Sequence, residues 1–330
     1  MKKALSLVAA GLLAAGAAQA GTLTVANSDI EMTGGVTAGY FYATNIGNKN
    51  NDYFVVPNFA IDLTSKVNSI IGFTASFGRV EQATLLCPKA GEDATFGVDY
   101  AWVSIRPIEG LTIDAGKLTT NIGYELYHTY DNKNYIFGLV WNAQPVTYPG
   151  ARATYSVMDG IDVYAEYNQD GRDAFAIGSL GSVAGFNYAI SYYDYTAFKN
   201  LIDVVLSTEI SGIEIGTNID YQWLDDTAKT PGNDDSAYGI ALYLSTKIDV
   251  FEIPVRIEYV NDGTSEIYSV AGNDAWTFTI TPTWRPTQNT FLRAEFAYIS
   301  TDKKGFPDDN GVLNQKDSRT VMGVEAGFVF

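Results

Sequence analysis

Trp276-Thr277-Phe278-Thr279-Ile280-Thr281-Pro282-Thr283-Trp284 places Trp276, Phe278, Ile280, Pro282 and Trp284 on one face of an extended chain and threonines on the other. Successive side chains of a strand point to opposite sides, so the stretch reads as a strand with one apolar and one hydroxyl face. A strand of a soluble sandwich would also alternate. The tryptophans at the two ends say more. Eight steps of about 3.3 Å, tilted by about 40°, climb about 20 Å, close to the apolar band of an outer-membrane barrel. Tryptophan at both edges of that band sits where a membrane meets water.

The same alternation recurs outward from this strand. Val55, Pro57, Phe59, Ile61 and Leu63 alternate with Val56, Asn58, Ala60, Asp62 and Thr64. Ile213, Ile215, Thr217, Ile219, Tyr221 and Trp223 alternate with Glu214, Gly216, Asn218, Asp220 and Gln222. Near the C-terminus, Met322, Val324, Ala326, Phe328 and Phe330 stand against Val321, Gly323, Glu325, Gly327 and Val329. In each case the second face is small, polar or acidic, as in a barrel with a wet lumen and a lipid-facing outer wall. Pro57 and Pro282 fall inside strands, and a closed barrel has no edge to house them, so they are expected at bulges or rims.

Connection lengths carry the stronger argument. Short turns fall at Ser65–Asn68, Pro107–Gly110, Met158–Gly160, Ser182–Gly185, Ser211–Gly212, Ile248–Glu252 and Arg285–Asn289. Longer polar connections fall at Thr44–Asp52, Arg79–Thr95, Leu118–Pro149, Leu224–Ser236, Asn261–Ala275 and Ser300–Asp317, with two brief members of that set near Asn168–Asp173 and Thr196–Lys199. Short turns on one side and long loops on the other predict an all-β, antiparallel transmembrane barrel of about sixteen strands, both termini on the periplasmic side. No repeat of about 20–50 residues suggests a propeller or solenoid.

The start of the chain reads as an address. Lys2 and Lys3 precede an apolar run from Ala4 to Gly16 and a small-x-small site at Ala18-Gln19-Ala20. That order predicts a secretory signal peptide over residues 1–20, cleaved to leave one barrel domain over 21–330. The run is too short for a membrane anchor, which needs about 20 apolar residues.

Composition excludes several classes. With 38 acidic against 21 basic residues the net charge is -17, which argues against a nucleic-acid partner. Aromatic residues at 13% argue against disorder. One cysteine and one histidine rule out an intrachain disulfide and most zinc and haem sites, and no metal or other cofactor is expected.

One connection, Leu118 to Pro149, is too apolar for a solvated loop: it carries Tyr124, Tyr127, Tyr130, Tyr135, Phe137 and Trp141. Loops of this length are usually functional or disordered, and the composition speaks against disorder. The economical solution is a third loop folded into the barrel lumen, burying its aromatics on the inner wall and narrowing the passage. Glu125, His128, Asp131 and Lys133 are then the candidates for the pore constriction. Pore-wall candidates are Lys117, Arg152, Arg256, Glu258, Arg293, Glu295 and Arg319, facing the acidic Asp62, Asp114, Asp162, Glu166, Glu214, Asp220 and Glu325. Rings of charge set pore selectivity, and this acidic excess predicts a mild preference for cations. The alternative is structural, with Arg256 pairing Glu258 and Arg293 pairing Glu295 along the wall.

The stretch Gly116-Lys117-Leu118-Thr119-Thr120, then Gly123-Tyr124-Glu125, then Asn132 to Asn134, closing on Tyr148-Pro149-Gly150-Ala151-Arg152-Ala153-Thr154-Tyr155, resembles the OmpL-like β-barrel porins. Tyr135-Ile136-Phe137 and Tyr148-Pro149 depart from that family's pattern. The resemblance implies a bacterial outer-membrane diffusion pore whose partners are the lipid bilayer and small hydrophilic solutes or ions. Similarity to sixteen-stranded porins implies a third loop inside the barrel and a homotrimer. Phe330, ending an alternating strand, is similar to the signal that outer-membrane assembly machinery reads.

Two other classes stay open. A hydrolase would have to be built around His128, yet no serine sits in a G-x-S-x-G setting and no phosphate loop or dinucleotide fingerprint occurs, so no catalytic residue is assigned and the chain reads as no enzyme. Cys87 has no partner. A non-conducting adhesin, receptor or structural barrel would use polar loops such as Pro231–Asp235 and Pro307–Gly311, whose composition ordinary turn chemistry also explains.

Overall fold

Alternating segments this short cannot bury an apolar face alone, and in this protein they solve the problem by pairing in sequence around a ring. The computed structural model describes residues 23–24, 29–47, 51–65, 70–89, 95–270 and 274–330. The expected signal segment 1–20 and most of the expected turn Ser65–Asn68 lie outside these residues. The strands are β1 (Ile30–Ala43), β2 (Asp52–Ser65), β3 (Ile71–Val80), β4 (Gly97–Ile108), β5 (Leu111–Thr119), β6 (Thr147–Met158), β7 (Ile161–Gln169) and β8 (Asp173–Val183). They continue as β9 (Phe186–Tyr195), β10 (Lys199–Ile210), β11 (Ile213–Leu224), β12 (Ser236–Ile248), β13 (Phe251–Asn261), β14 (in two pieces, Asp274–Ile280 and Thr283–Thr287), β15 (Thr290–Thr301) and β16 (Ser318–Val329). A two-residue strand, Leu23–Thr24, pairs with Glu31 and Met32 of β1.

Each strand pairs antiparallel with its chain neighbours. β16 pairs with β1 from Val321↔Ala43 to Val329↔Gly35, closing the sheet into a sixteen-stranded barrel. Gly34 and Phe330 add reciprocal backbone hydrogen bonds of 3.0 and 2.9 Å at this seam. Closure removes the exposed sheet edges on which other chains could pair. The strand count and fold class read from the sequence are those observed. Among the described residues no helix is long and apolar enough to cross a membrane.

The tight turns follow backbone chemistry. Ala184 and Gly185 have φ of 53° and 86°, and Ser211 and Gly212 have φ of 54° and 79°. Two left-handed residues in a row match the twist of the flanking strands, and glycine removes the steric penalty at the second position.

The opening stretch behaves as read: Trp276 and Trp284 are 47% and 43% exposed, while Thr277, Thr279, Thr281 and Thr283 are buried. Its proline does break the ladder. β14 is interrupted at Thr281-Pro282, where the Pro282 carbonyl accepts from the Ala294 N–H at 3.0 Å. Pro57 sits at a second irregularity, where the β1–β2 register shifts between Thr37 and Gly39. That shift changes the expected faces. Phe59 points outward and Asn58 and Ala60 inward as predicted, but before the bulge Phe54 and Val56 are outward and Val55 is buried.

Outward faces elsewhere are apolar and exposed, as with Ile219, Tyr221, Ile257, Tyr259, Met322 and Val324. A belt this continuous needs a lipid solvent rather than water.

Candidate functional site

The inward faces meet the third loop, residues 120–146 between β5 and β6, which contains two single turns of 3-10 helix at Thr129–Asp131 and Trp141–Ala143. It is hydrogen-bonded to inward-facing wall side chains near its start, midway and at its far end. Near its start, the Gly123 N–H donates to Asp203 at 3.3 Å and the Tyr124 N–H to Asn218 at 3.3 Å. Tyr124 stacks on Tyr243 with ring centres 4.0 Å apart. Midway, Asn58 of β2 accepts from the Thr129 N–H at 3.2 Å, and Arg293 of β15 donates to the carbonyls of Asn132 and Thr129 at 3.0 and 3.1 Å. At the far end Gln144 donates to Asn218 at 2.9 Å and to both Asp220 oxygens at 3.1 and 3.0 Å.

Residues 135–140 are held most tightly. Glu295 accepts from the N–H groups of Tyr135 and Ile136 at 2.6 and 2.9 Å. Glu125 accepts from Gly138 at 2.7 Å, and Glu258 from Val140 at 3.1 Å. The Phe137 N–H donates to the Ala83 carbonyl of the second loop at 2.9 Å. Around this backbone Tyr135 stacks on Phe41 at 3.9 Å, and Ile136, Leu139 and Val140 join an apolar cluster with Ala237, Ala241 and Ala297 of the wall.

The expected wall charges serve this grip. Arg256 lies between Glu125, to which it hydrogen-bonds, and Glu258, 3.2 Å away, and donates to the Ile136 carbonyl at 2.8 Å. Arg152 pairs with Glu166 at 2.5 Å and donates to Asn121 and to the Thr119 carbonyl at 3.1 and 2.6 Å. Arg293 pairs with Glu325 of the neighbouring strand at 2.5 Å, not with Glu295 as the sequence suggested. Arg319 donates to the carbonyls of Leu85, at 2.8 Å, Leu86, and Asn45, at 2.9 Å, so it fastens the first two loops. Lys117 leaves the wall set altogether. It pairs in register with Ala101 and Pro149, on the outward face, and donates to the Val98 carbonyl at 3.3 Å.

The four constriction candidates separate into two groups. Glu125, Asp131 and Lys133 line a cavity of about 180 Å³ at the short-turn end of the barrel, shared with Tyr124, Glu209 and Glu214. Lys133 is bound there by Glu214, at 2.9 Å, and by Glu252. Burial pushes the Glu125 carboxyl up to about 7; Arg256 opposes that rise and the Glu258 charge adds to it. His128 is buried elsewhere, stacked on Tyr130 at 4.9 Å. Burial would lower its pKa, but the hydrogen bond to Asp131 and the charges of Asp62, Asp131 and Asp99 raise it overall.

His128 lies 3.4 Å from Ser76 Oγ and 3.5 Å from Asp131, a serine–histidine–aspartate order. Ser76 is fully buried and shares its hydroxyl with Asp99 at 3.5 Å, so no acyl group can reach it in this arrangement. The group ties the loop to β3 and β4.

The wet lumen expected from alternation is therefore corrected at the level of the loop. Arg256, Glu258, Asp203 and Asp220 are buried, because the loop covers the wall that would otherwise face water. Asp203, Asn218 and Gln144 escaped the sequence reading, since nothing in their spacing distinguishes a loop anchor from another inward polar residue. Among the described residues no group of three or more histidine, cysteine or acidic side chains could hold a metal.

The model of the family described as putative beta-barrel porin-2, OmpL-like, matches residues 29–330. The barrel is similar to the trimer form of in-vitro-folded OmpT, an outer membrane protein of Vibrio cholerae, at 13% identity and a TM-score of 0.65, covering 91% of this chain and 99% of that one. It is equally similar, with TM-scores of 0.65, to an anion-selective porin from Comamonas acidovorans (10% identity, 92% and 100% covered) and to OprB of Pseudomonas putida (11% identity, 92% and 94% covered). Among curated proteins none matches significantly. The chain belongs to the OmpL-like β-barrel porin family, and it is a barrel of the cell outer membrane with a general porin role.

Proposed function

We propose that this family member, after loss of residues 1–20, is a passive channel for small hydrophilic solutes or ions with a mild preference for cations, and that it acts without catalysis. The observation that carries the reading is the cavity at the short-turn end. Glu125, Asp131, Glu209 and Glu214 line it against a single lysine among the described lining residues, Lys133, which pairs with Glu214 and with Glu252. An excess of carboxylates at a mouth raises the local concentration of cations and repels anions. Glu125, Asp131 and Lys133 set the narrow region in this reading, while Arg152, Arg256, Glu258, Arg293, Glu295 and Arg319 hold the loops that shape it. Assembly as a homotrimer, as in the trimer form of the Vibrio cholerae protein, is part of the proposal.

Planar-bilayer recording under a salt gradient tests it. The purified, folded protein is expected to give conducting steps with a reversal potential of cation sign. Asp131→Asn with Glu214→Gln is expected to move that potential toward zero. Silence from a demonstrably folded barrel would favour the second reading, a non-conducting outer-membrane barrel, to which the buried inner wall at the loop already lends weight.

A further inference from the structure

Glu209 and Glu214 stand directly opposite each other on β10 and β11, and both line the cavity at the short-turn end. Facing residues of an antiparallel pair hold their Cβ atoms about 5 Å apart, and like charges placed so are destabilising. The neighbouring ion pairs relieve only one of the two. Lys133 reaches Glu214 at 2.9 Å but is shared with Glu252, which Arg285 also approaches at 3.4 Å. Glu209 is exposed and pairs with no cation among the described residues.

Two aromatic rings adjoin this carboxylate pair. Tyr124 and Tyr243 line the same cavity, stacked with ring centres 4.0 Å apart and planes inclined by 19°. The wall makes room for them at Gly216, the register partner of Tyr243. A Cβ there would lie 2.5 Å from Tyr124 Cε2 and 2.8 Å from its Oη, so only bare backbone leaves that ring its place. Gly216 follows Glu214 by two residues, on the same inward face, which makes rings and carboxylates neighbours.

We propose that this cavity binds small alkylammonium cations, the charged nitrogen at Glu209 and Glu214 and the apolar substituents against Tyr124 and Tyr243. The inference rests on the porin reading and names a class of solute within it. An aromatic ring attracts a cation held within about 6 Å of its centre, and it also covers the cation's carbon atoms. A hydrated potassium ion keeps its water shell and gains little from such rings. A calcium ion takes about six to eight oxygen ligands, and among the described residues no group of three or more histidine, cysteine or acidic side chains could hold a metal. The volume, about 180 Å³, leaves room for an organic body beside the charge.

Calorimetric titration of the purified, folded protein in non-ionic detergent tests the site. Choline chloride is the probe, compared with potassium chloride and calcium chloride at matched ionic strength. Saturable heat from choline alone is the expected result. Tyr124→Leu should weaken choline binding about two- to fivefold, the share of one ring in holding a cation at an accessible site. Glu209→Gln should weaken it as well, and decides the matter if Tyr124→Leu does not fold. Equal heats from choline and potassium, or a choline affinity that either folded variant leaves unchanged, would overturn the inference. Saturation by calcium without saturation by choline would overturn it too, making the carboxylate pair a metal site. Bilayer recording of the same preparation keeps the two readings apart. Conducting steps without choline binding sink the ammonium site alone, whereas choline binding to a silent barrel sinks the porin reading and upholds the site.

Discussion

The walls made by β13–β15 and by β5–β7 alternate in the same way and carry the same kinds of inward side chain, yet their surroundings differ. On β13–β15, Glu252, Arg256, Glu258, Thr277, Thr279, Arg293 and Glu295 are buried from one end to the other. On β5–β7 only the loop-side half is covered, by Leu118, Tyr148, Arg152 and Glu166, while Thr112, Asp114, Thr154 and Asp162 toward the turns are half-exposed. Strand sequence alone does not separate the two. The third loop does, by lying against one wall along its full height and against the other only near its own root. A charge on the covered wall is therefore part of a packed interior, whereas a charge on the uncovered wall remains a solvated pore group.

Removing a buried cation should separate the walls most sharply. Arg256→Met leaves Glu125 and Glu258 facing each other without compensation, and should destabilise the folded barrel by about 3–5 kcal/mol in urea unfolding from detergent. If it costs no more than a substitution at Asp162, the distinction between the walls collapses.

The pH dependence of the covered side follows from Glu125, whose carboxyl is raised to about 7. The fold favours its protonated form. Stability should be fully present below the ordinary carboxyl range, fall as pH rises toward 7, and level off above, with an amplitude on the order of 3 kcal/mol. Glu125→Gln should flatten that slope; a slope unchanged in the variant would assign it to another group.

A smaller loss is expected at residues 135–140 of the third loop. Glu295→Gln weakens two charge-assisted bonds from the Tyr135 and Ile136 N–H groups, by about 1.5–3 kcal/mol together. Hydrogen exchange should quicken at residues 135–140 and stay unchanged on β6 and β7. On the uncovered wall, Asp162→Asn should alter stability by no more than about 0.5 kcal/mol, although it stands on the same face as Glu166.

The barrel was legible because lipid outside and polar atoms inside write themselves into alternate residues, and because turns and loops differ in length. The two prolines even marked the places where the ladder breaks. Partner choice was not legible. Arg293 and Glu295 look like a pair two residues apart, but Arg293 takes Glu325 and leaves Glu295 free to bind loop N–H groups. Lys117 looked inward because it leads into the third loop, but register puts it beside Ala101 and Pro149 on the outer face. Such outcomes depend on which strands become neighbours around a ring, which a local period does not encode. The aromatic richness of Leu118–Pro149 announced that the segment would be buried; which carboxylates would receive it was set by strands folded far downstream.

That separation along the chain has a consequence for the order of events during assembly. Tyr135 must wait for Glu295, 160 residues later, and the seam joins β1 to β16, whose pairing is more distant still. Contacts between such remote segments carry the largest loop-closure cost and form late. While the sheet is still an open ribbon, the third loop can swing across its concave side and find β13 and β15 from the side. Once Val321 meets Ala43, the only remaining entrances are the two mouths. The seam therefore acts as a deadline: a loop that has not docked by then must be drawn in end-on, past the other loops, and a variant with weakened anchors should accumulate as a closed barrel with its third loop outside.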